Sequence, residues 1–224
     1  MFILSEMQDI VAVVPHHFKN QLKETLHNSL NWRFANKVIV DLGLCVCLYD
    51  ILHVGDMFIL ACDGRGHVPV RFRFIIFRPF VDEILEAKIV SSTEAGITLS
   101  VGFFEDIFIP MHKLPCPNGF EKTEQTWYWA YGQEEGEPPT KLMMEAGSTV
   151  RFRVVENIFK DVRPDPNDEP SKNEKSFQVI GQMMESGLGC LTWWNNEGEE
   201  DEEEEEDGEE QSANGEEDED MSAE

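Results

Sequence analysis

Residues 70–110, VRFRFIIFRPFVDEILEAKIVSSTEAGITLSVGFFEDIFIP, constrain the fold most tightly, because three alternating apolar runs are separated by clear breaks. Val70, Phe72, Phe74 and Ile76 fall on one face of a strand, and Arg71 and Arg73 fall on the other. The Arg78-Pro79 step ends that strand, since proline removes a ladder donor and restricts the residue before it. A second alternation sets Leu85, Ala87 and Ile89 against Glu86 and Lys88. After Gly96 a third sets Ile97, Leu99 and Val101 against Thr98 and Ser100. Short strands between turn signals predict a compact antiparallel barrel beginning just after Pro79, joined to a separate β-rich unit before it.

That first unit opens with a strand over residues 2–13 and a turn at Val14-Pro15. Pro15 suits the first turn of a helix, where its missing N–H costs little. Phe18, Leu22, Leu26 and Leu30 then recur every four residues, which predicts a helix from Pro15 to about Asn31 with its apolar face on a sheet. Asn36 to Ile51 alternates Val38, Val40, Leu42, Leu44, Val46 and Leu48, the pattern of one long or bent strand with Gly43 as a bulge. Asp63-Gly64-Arg65-Gly66 is turn chemistry. In the second unit, strands are predicted near 83–91, 96–101, 105–110, 149–155 and 177–184, with Gly187–Trp194 returning against the last. An irregular segment at 111–148 carries the aromatic cluster Trp127–Tyr131, and a polar loop spans Arg163–Lys175.

The chain has 224 residues and a formal net charge of −26. Eighteen acidic residues and no Lys or Arg lie from Glu197 onward, which leaves about −8 on the remaining body. The extreme acidity therefore belongs to a tail, and a block of like charge with almost no apolar residues is expected to be disordered. The organisation predicted is 1–79, 80–196 and an acidic tail 197–224. Cys45, Cys47, Cys62, Cys116 and Cys190 form an odd set without CxxC spacing, and the N-terminus lacks a basic region ahead of its apolar residues. No run approaches the ~20 apolar residues needed to span a bilayer. The expectation is a soluble intracellular protein with reduced thiols.

Catalytic chemistry finds little support. His16, His17, His27, His53, His67 and His112 are scattered, with no metal-ligand spacing, and a solvated His16-His17 pair explains that doublet better than a metal does. The Asp63-Gly64 turn lacks the GK[ST] of a phosphate-cradling loop. Asp82 and Glu83 point apart if they lie on a strand, so they make a poor acid–base pair. No cofactor and no enzyme activity are expected.

Six segments in order carry a resemblance: Leu42–Ile51 (LGLCVCLYDI), Phe77–Ile89 (FRPFVDEILEAKI), Gly96–Pro110, Trp127–Tyr131, Val150–Glu156 (VRFRVVE) and Ser186–Trp194 (SGLGCLTWW). On these the chain resembles the large stalk subunits of RNA polymerases, a family shared by eukaryotic RNA polymerases III and II and the archaeal polymerase. The aromatic cluster and the GLGxLxWW segment point to the polymerase III branch. The acidic tail and the DGRGHV turn at 63–68 depart from the family pattern. The resemblance implies an α+β fold, with an N-terminal truncated RNP-like domain docking on the polymerase core and on a smaller stalk subunit. It also implies a C-terminal OB-fold barrel near emerging RNA and initiation factors, in the nucleus.

OB barrels bind single strands with aromatic platforms and basic side chains along the phosphates. On that basis Lys88, Arg151, Arg153, Phe103, Phe104 and Phe108 are the RNA candidates. Against this stand a solvated charged face for the arginines and core packing for the phenylalanines. Leu42, Leu44, Val46, Leu48, Arg71, Arg73 and a hinge at Pro79 are the docking candidates. Adjacent Trp193 and Trp194 cannot both face one core, so one of them should meet a second surface. The mildly acidic body predicts weak, salt-sensitive binding of single-stranded RNA by the isolated chain. Two other readings remain open: a stand-alone OB-fold RNA-binding protein in translation or RNA processing, and an acidic chaperone for basic proteins acting through its tail.

Overall fold

The computed structural model describes residues 1–132, 140–161 and 175–194. The expected acidic tail at 197–224 and all but the last residue of the expected loop at 163–175 lie outside the described residues.

The N-terminal half is a sheet covered on one face by a helix. Its strands are β1 (Phe2–Val13), β2 (Lys37–Ile39), β3 (Gly43–Val54), β4 (Phe58–Ile59) and β5 (Gly66–Phe77), in the order β1-β5-β3-β2 with β4 also on β5. β1 and β5 pair without a register shift from Phe2↔Phe77 to Val13↔Gly66. Helix α1 (Leu22–Phe34) buries Leu26 and Leu30 against Val11, Val13, Val68, Val70, Phe72 and Phe74. Asn31 Oδ1 accepts the Leu48 backbone N–H at 2.8 Å, and Arg33 pairs with Asp9 at 2.6 Å, tying the helix to β3 and β1. The helix is displaced from its expected span. Pro15–His17 forms only a 3₁₀ turn, and Gln21, in extended backbone, is the cap from which α1 starts. Phe18 therefore leaves the apolar stripe, which continues instead through Phe34.

The single long strand expected over Asn36–Ile51 is instead a hairpin. Asp41 turns the chain at φ 62° and Gly43 sits at φ 133°, where a Cβ would lie 2.5 Å from the Phe77 carbonyl oxygen. The bulges come later than Gly43: Val46, Tyr49 and Leu52 are each an extra residue against β5. Each bulge resets the side-chain phase. Leu44 thus faces the barrel while Leu48 lies under α1, at 7 % and 6 % exposure, although simple alternation puts them on one face.

The second half closes into a barrel. Its strands are β6 (Ile84–Thr93), β7 (Gly96–Ser100), β8 (Ile107–Pro110), β12 (Thr149–Phe159) and β13 (Phe177–Gln182). They hydrogen-bond in the order β6-β7-β8-β13-β12 and back to β6, with β8 and β13 the parallel pair. This is the five-stranded connectivity of an OB fold. Leu85, Ala87, Ile89, Ile97, Leu99, Ile107, Ile109, Val150, Phe152, Val154 and Val179 fill it. The segment expected to be irregular, 111–148, holds a three-stranded sheet of β9 (Asn118–Glu121), β10 (Thr126–Tyr131) and β11 (Thr140–Met144). β10 is aromatic on both faces, so its period of two is invisible in the sequence. Buried Trp127 donates Nε1–H to the Thr93 carbonyl at 2.8 Å and pins this sheet to the barrel. A short β14 (Gly189–Cys190) then pairs with Val150 and Arg151 of β12.

The two halves share packed residues. Phe77, at the end of β5, meets Phe2, Phe103, Phe104 and Phe177 at centroid distances of 5.8, 5.0, 5.1 and 6.4 Å. Pro79 is buried, and its carbonyl accepts from Asn157 Nδ2 at 2.7 Å. Arg78 donates to the Asp41 carbonyl at 2.6 Å and lies over the Phe159 ring. Asp82 and Glu83 exchange backbone bonds with Val154, both at 2.9 Å. The expected hinge is a bonded joint.

Candidate functional site

The basic candidates converge on one outer surface of the barrel. β12 pairs with β6 so that Thr149 faces Lys88, Arg151 faces Glu86 and Arg153 faces Ile84. Because side chains alternate, burial of Leu85, Ala87, Val150, Phe152 and Val154 turns Lys88, Arg151 and Arg153 outward together. Arg151 Nη2 meets Glu86 at 2.9 Å and Arg153 Nη2 meets Glu185 at 2.6 Å. Among the described residues each is a single-point pair and Lys88 has no ion-pair partner. Exposed pairs of this kind contribute roughly 0–1 kcal/mol, so an incoming phosphate can share or displace the glutamates. Arg73 differs: it forks onto both Asp50 oxygens and lies 5.2 Å above the Tyr49 ring, a closed arrangement. The hydrogen bond from Arg73 holds the Asp50 carboxyl below the usual carboxylate range.

The aromatic candidates separate. Phe104 is 6 % exposed, packed between Phe77 and Phe177, where no base can reach it; it is a core residue. Phe103 is 48 % exposed but leans on Phe77 and stacks on Phe2, so it caps the joint between the halves. Phe108 is half-buried on the outer barrel face, alternating with buried Ile107 and Ile109. It lies over Gly96, whose missing side chain makes room for the ring.

The docking candidates also divide. Leu44, Leu48 and Pro79 are buried and present nothing to a partner, while Leu42 and Val46 are half-buried at the margins of the two cores. Arg71 and Arg73 lie on the sheet face opposite α1, Arg71 paired with Glu6 at 3.0 Å. They share that face with exposed Leu4, Ile10, Tyr49 and Leu52.

Two apolar features escaped the sequence reading. Met57, Phe58, Ile59 and Leu60 are all exposed, Ile59 to 62 %, at the end of the sheet far from the barrel. Met57 and Phe18 rest on Gly66, and Phe58 stacks on His67. Arg65 and His67 both hold Asp63, at 2.6 and 2.7 Å, and these hydrogen bonds, that from Arg65 foremost, lower its carboxyl's pKa and tie off the turn beneath the tip. Four consecutive apolar residues beside a DGRG turn are the signal, since such a run has no core to enter. The second feature is Trp32, 87 % exposed on α1 beside a groove lined by Val11, Val13, Thr25, Ser29 and Arg33. No period marks it.

Among the described residues no three His, Cys, Asp or Glu side chains gather as a metal site. Burial pushes the Cys45 thiol up to about 11, and burial together with Glu145 pushes Cys190 up to about 12, so neither is a ready thiolate. The GLGxLxWW segment is structural in its first part. Gly189 stands at φ 106° directly under the Trp193 ring, which packs on Trp129 at 5.5 Å, while Trp194 stays exposed.

Fold and surfaces together define the class: a two-part β-rich scaffold, with an apolar tip on a sheet-and-helix unit and a cationic face on a barrel. Residues 83–194 match the family described as RNA polymerase III subunit Rpc25. Residues 8–66 match the SHS2 domain found in the N terminus of Rpb7p/Rpc25p/MJ0397. The DNA-directed RNA polymerase III subunit RPC8 of Bos taurus is 40 % identical over 205 residues, covering 88 % of this chain and all of that protein. The RPC8 subunit of Schizosaccharomyces pombe is 36 % identical over 202 residues, covering 87 % of this chain and all of its own. The RNA polymerase II subunit RPB7 of Saccharomyces cerevisiae is more distant, 26 % identical over 196 residues, covering 85 % of this chain and all of that protein. The chain belongs to the Rpc25 family of RNA polymerase III subunits.

Proposed function

We propose that the chain is a non-catalytic stalk subunit of nuclear DNA-directed RNA polymerase III. Residues 1–79 dock on the polymerase core and on a smaller partner subunit, and residues 80–196 present the barrel to emerging RNA and initiation factors. The observation that carries this reading is the separation of two unlike surfaces by one continuous strand. β5 begins at Gly66, beneath the exposed Met57–Leu60 tip, and ends at Phe77, in the barrel joint. The tip is apolar and suits burial in a protein interface. The face opposite α1 mixes exposed Leu4, Ile10 and Leu52 with the Arg71–Glu6 and Arg73–Asp50 pairs, a surface suited to the smaller stalk partner. Lys88, Arg151 and Arg153 supply phosphate contacts, and Phe108 is the remaining outer-face aromatic for a base.

The test is affinity purification of the tagged chain from cell extract with mass spectrometry, alongside ultraviolet crosslinking to RNA. The wild-type chain recovers the large polymerase III subunits and one small stoichiometric partner. A Phe58→Ser, Ile59→Ser chain loses the large subunits. An Arg151→Gln, Arg153→Gln chain keeps them and loses most RNA crosslinks. Recovery of ribosomal or processing factors, or of basic proteins alone, overturns the reading.

A further inference from the structure

We propose that Trp193, Trp129 and Tyr131 form a row on which unpaired bases of RNA stack, continuing the Arg151–Arg153 face into the three-stranded sheet. This rests on reading that face as the phosphate-binding surface and adds an aromatic half to it. Register, rigidity and charge converge on the row.

Register places it. β14 pairs Gly189 directly with Arg151, so the two project from the same outer face of the barrel. The Trp193 ring takes the place of the side chain that Gly189 lacks, since a Cβ there would collide with it. The ring therefore stands beside Arg151, across β12 from Glu86. It meets Trp129 at a centroid distance of 5.5 Å, and Trp129 meets Tyr131 at 5.0 Å. Tyr131, at the end of β10, is 58 % exposed.

The row is held before any ligand arrives. Trp127, earlier on the same face of β10, is buried and hydrogen-bonded to the Thr93 carbonyl. Trp129 donates Nε1–H to the Cys116 carbonyl at 3.3 Å. Trp193 belongs to the 3₁₀ turn Leu191–Trp193 and closes over Gly189. Rings fixed in this way lose little freedom on binding, which favours stacking. Bases in a duplex are already stacked on one another, whereas unpaired bases leave a face free, so single-stranded RNA is the occupant.

Charge selects the same occupant. Phe120 and Asn118 of β9 and Met144, Leu142 and Thr140 of β11 are the cross-strand partners of the β10 aromatics and share their face, and none of these is charged. In a chain of formal net charge −26, an uncharged aromatic face beside outward Lys88, Arg151 and Arg153 is a path open to a polyanion. Glu86, Glu185 and Glu145 border it, the first two already paired with the arginines. A protein interface also gathers Trp, Tyr and Arg, but cations in line with the rings supply phosphate contacts that a polypeptide does not call for.

The experiment uses the full chain and two labelled probes of about 12 nucleotides, an oligouridine and an abasic strand with the same phosphates, read by fluorescence anisotropy across a salt series. Stacking on one ring is worth about tenfold in affinity, so Tyr131→Ala should weaken oligouridine about tenfold and leave the abasic strand and the salt slope unchanged. Tyr131→Phe keeps the ring and should bind as the wild type does. Arg151→Gln should weaken both probes and lower the salt slope by about one. Equal losses on the two probes in Tyr131→Ala, or no loss on either, overturn the row. Loss of a co-purifying protein from Tyr131→Ala with RNA binding intact overturns it too, in favour of a protein surface. Failure of the phosphate reading looks different: Arg151→Gln and Arg153→Gln then leave both probes unaffected while Tyr131→Ala still weakens oligouridine alone, and the row stands without the arginines. A wild-type chain that binds neither probe overturns the row, and the crosslinks from extract then judge the arginines separately.

Discussion

Replacing Phe77 with alanine should uncouple the two halves of the chain. Phe77 is fully buried at the end of β5, in ring contact with Phe2 from its own sheet and with Phe103, Phe104 and Phe177 from the barrel side. Removing a buried phenylalanine costs about 3–5 kcal/mol, and four aromatic neighbours on both sides leave little room for collapse, so about 4 kcal/mol is expected. Domains of this kind are stable by roughly 5–15 kcal/mol, so the variant folds but loses much of its margin. With a urea slope of roughly 2 kcal/mol per molar, the midpoint should fall by about 2 M. In a Trp32→Phe background, barrel unfolding is followed by the fluorescence of Trp127, Trp129, Trp193 and Trp194. A dye on Cys47, with Cys62 and Cys116 changed to serine, follows the sheet. The wild-type probes should coincide, and those of Phe77→Ala should separate. Phe72→Ala, equally buried but beneath α1, should lower both midpoints with the probes still coincident. Coincident probes in Phe77→Ala with a midpoint shift below about 0.5 M would refute the joint as the coupling element.

Other variants test the remaining structure. Gly189→Ala places a Cβ at φ 106° against the Trp193 ring and should cost about 2–4 kcal/mol in thermal unfolding, with a red-shifted tryptophan emission. Burial raises the Cys45 thiol from 9.0 to about 11, so its contribution is intact below pH 9.0 and is lost as pH rises from 9.0 towards 11, on the order of 2 kcal/mol. Urea melts across that range check this. At pH 8 a thiol reagent should label Cys47, Cys62 and Cys116 and spare Cys45 and Cys190 until unfolding. The lowered Asp50 carboxyl contributes stability above its ordinary 3.8 that is lost as pH falls below it, so Asp50→Asn should flatten the acid limb of the stability curve.

The barrel is legible where one face of a strand is buried and the other is wet. Leu85-Ala87-Ile89 and Val150-Phe152-Val154 keep strict period two, and the structure places all six inside. Such alternation also sets Lys88, Arg151 and Arg153 outward, though not side by side; that requires the β6–β12 register. Sequence reasoning fails where the backbone departs from a regular ladder. Bulges at Val46, Tyr49 and Leu52 conserve apolar composition while changing the face, so alternation puts Leu44 and Leu48 together although they enter different cores. Phe103 and Phe104 illustrate a second limit. Adjacent aromatics in a turn have no period, and only the approach of Phe77 from another sheet decides that Phe104 is core.

The three bulges and the unbroken β1–β5 ladder have a joint mechanical meaning. Each bulge adds twist and bends β3 around its neighbour, whereas β1 and β5 stay in register over all twelve residues of each strand. The bulges therefore lie on β3, while β5 is paired along its length with β1 without interruption. Eleven steps of ~3.3 Å give it a span of about 36 Å. At one end Gly66 carries Met57 and Phe18 of the apolar tip; at the other Phe77 is held by barrel rings. A flexible link at Pro79 would let the barrel face wander relative to the Met57–Leu60 tip. Burial of Pro79, the Asn157 bond to its carbonyl and the paired backbone of Glu83 and Val154 remove that freedom. In the function proposed above, a joint of this kind carries the position of a seated tip through to the Lys88–Arg151–Arg153 face.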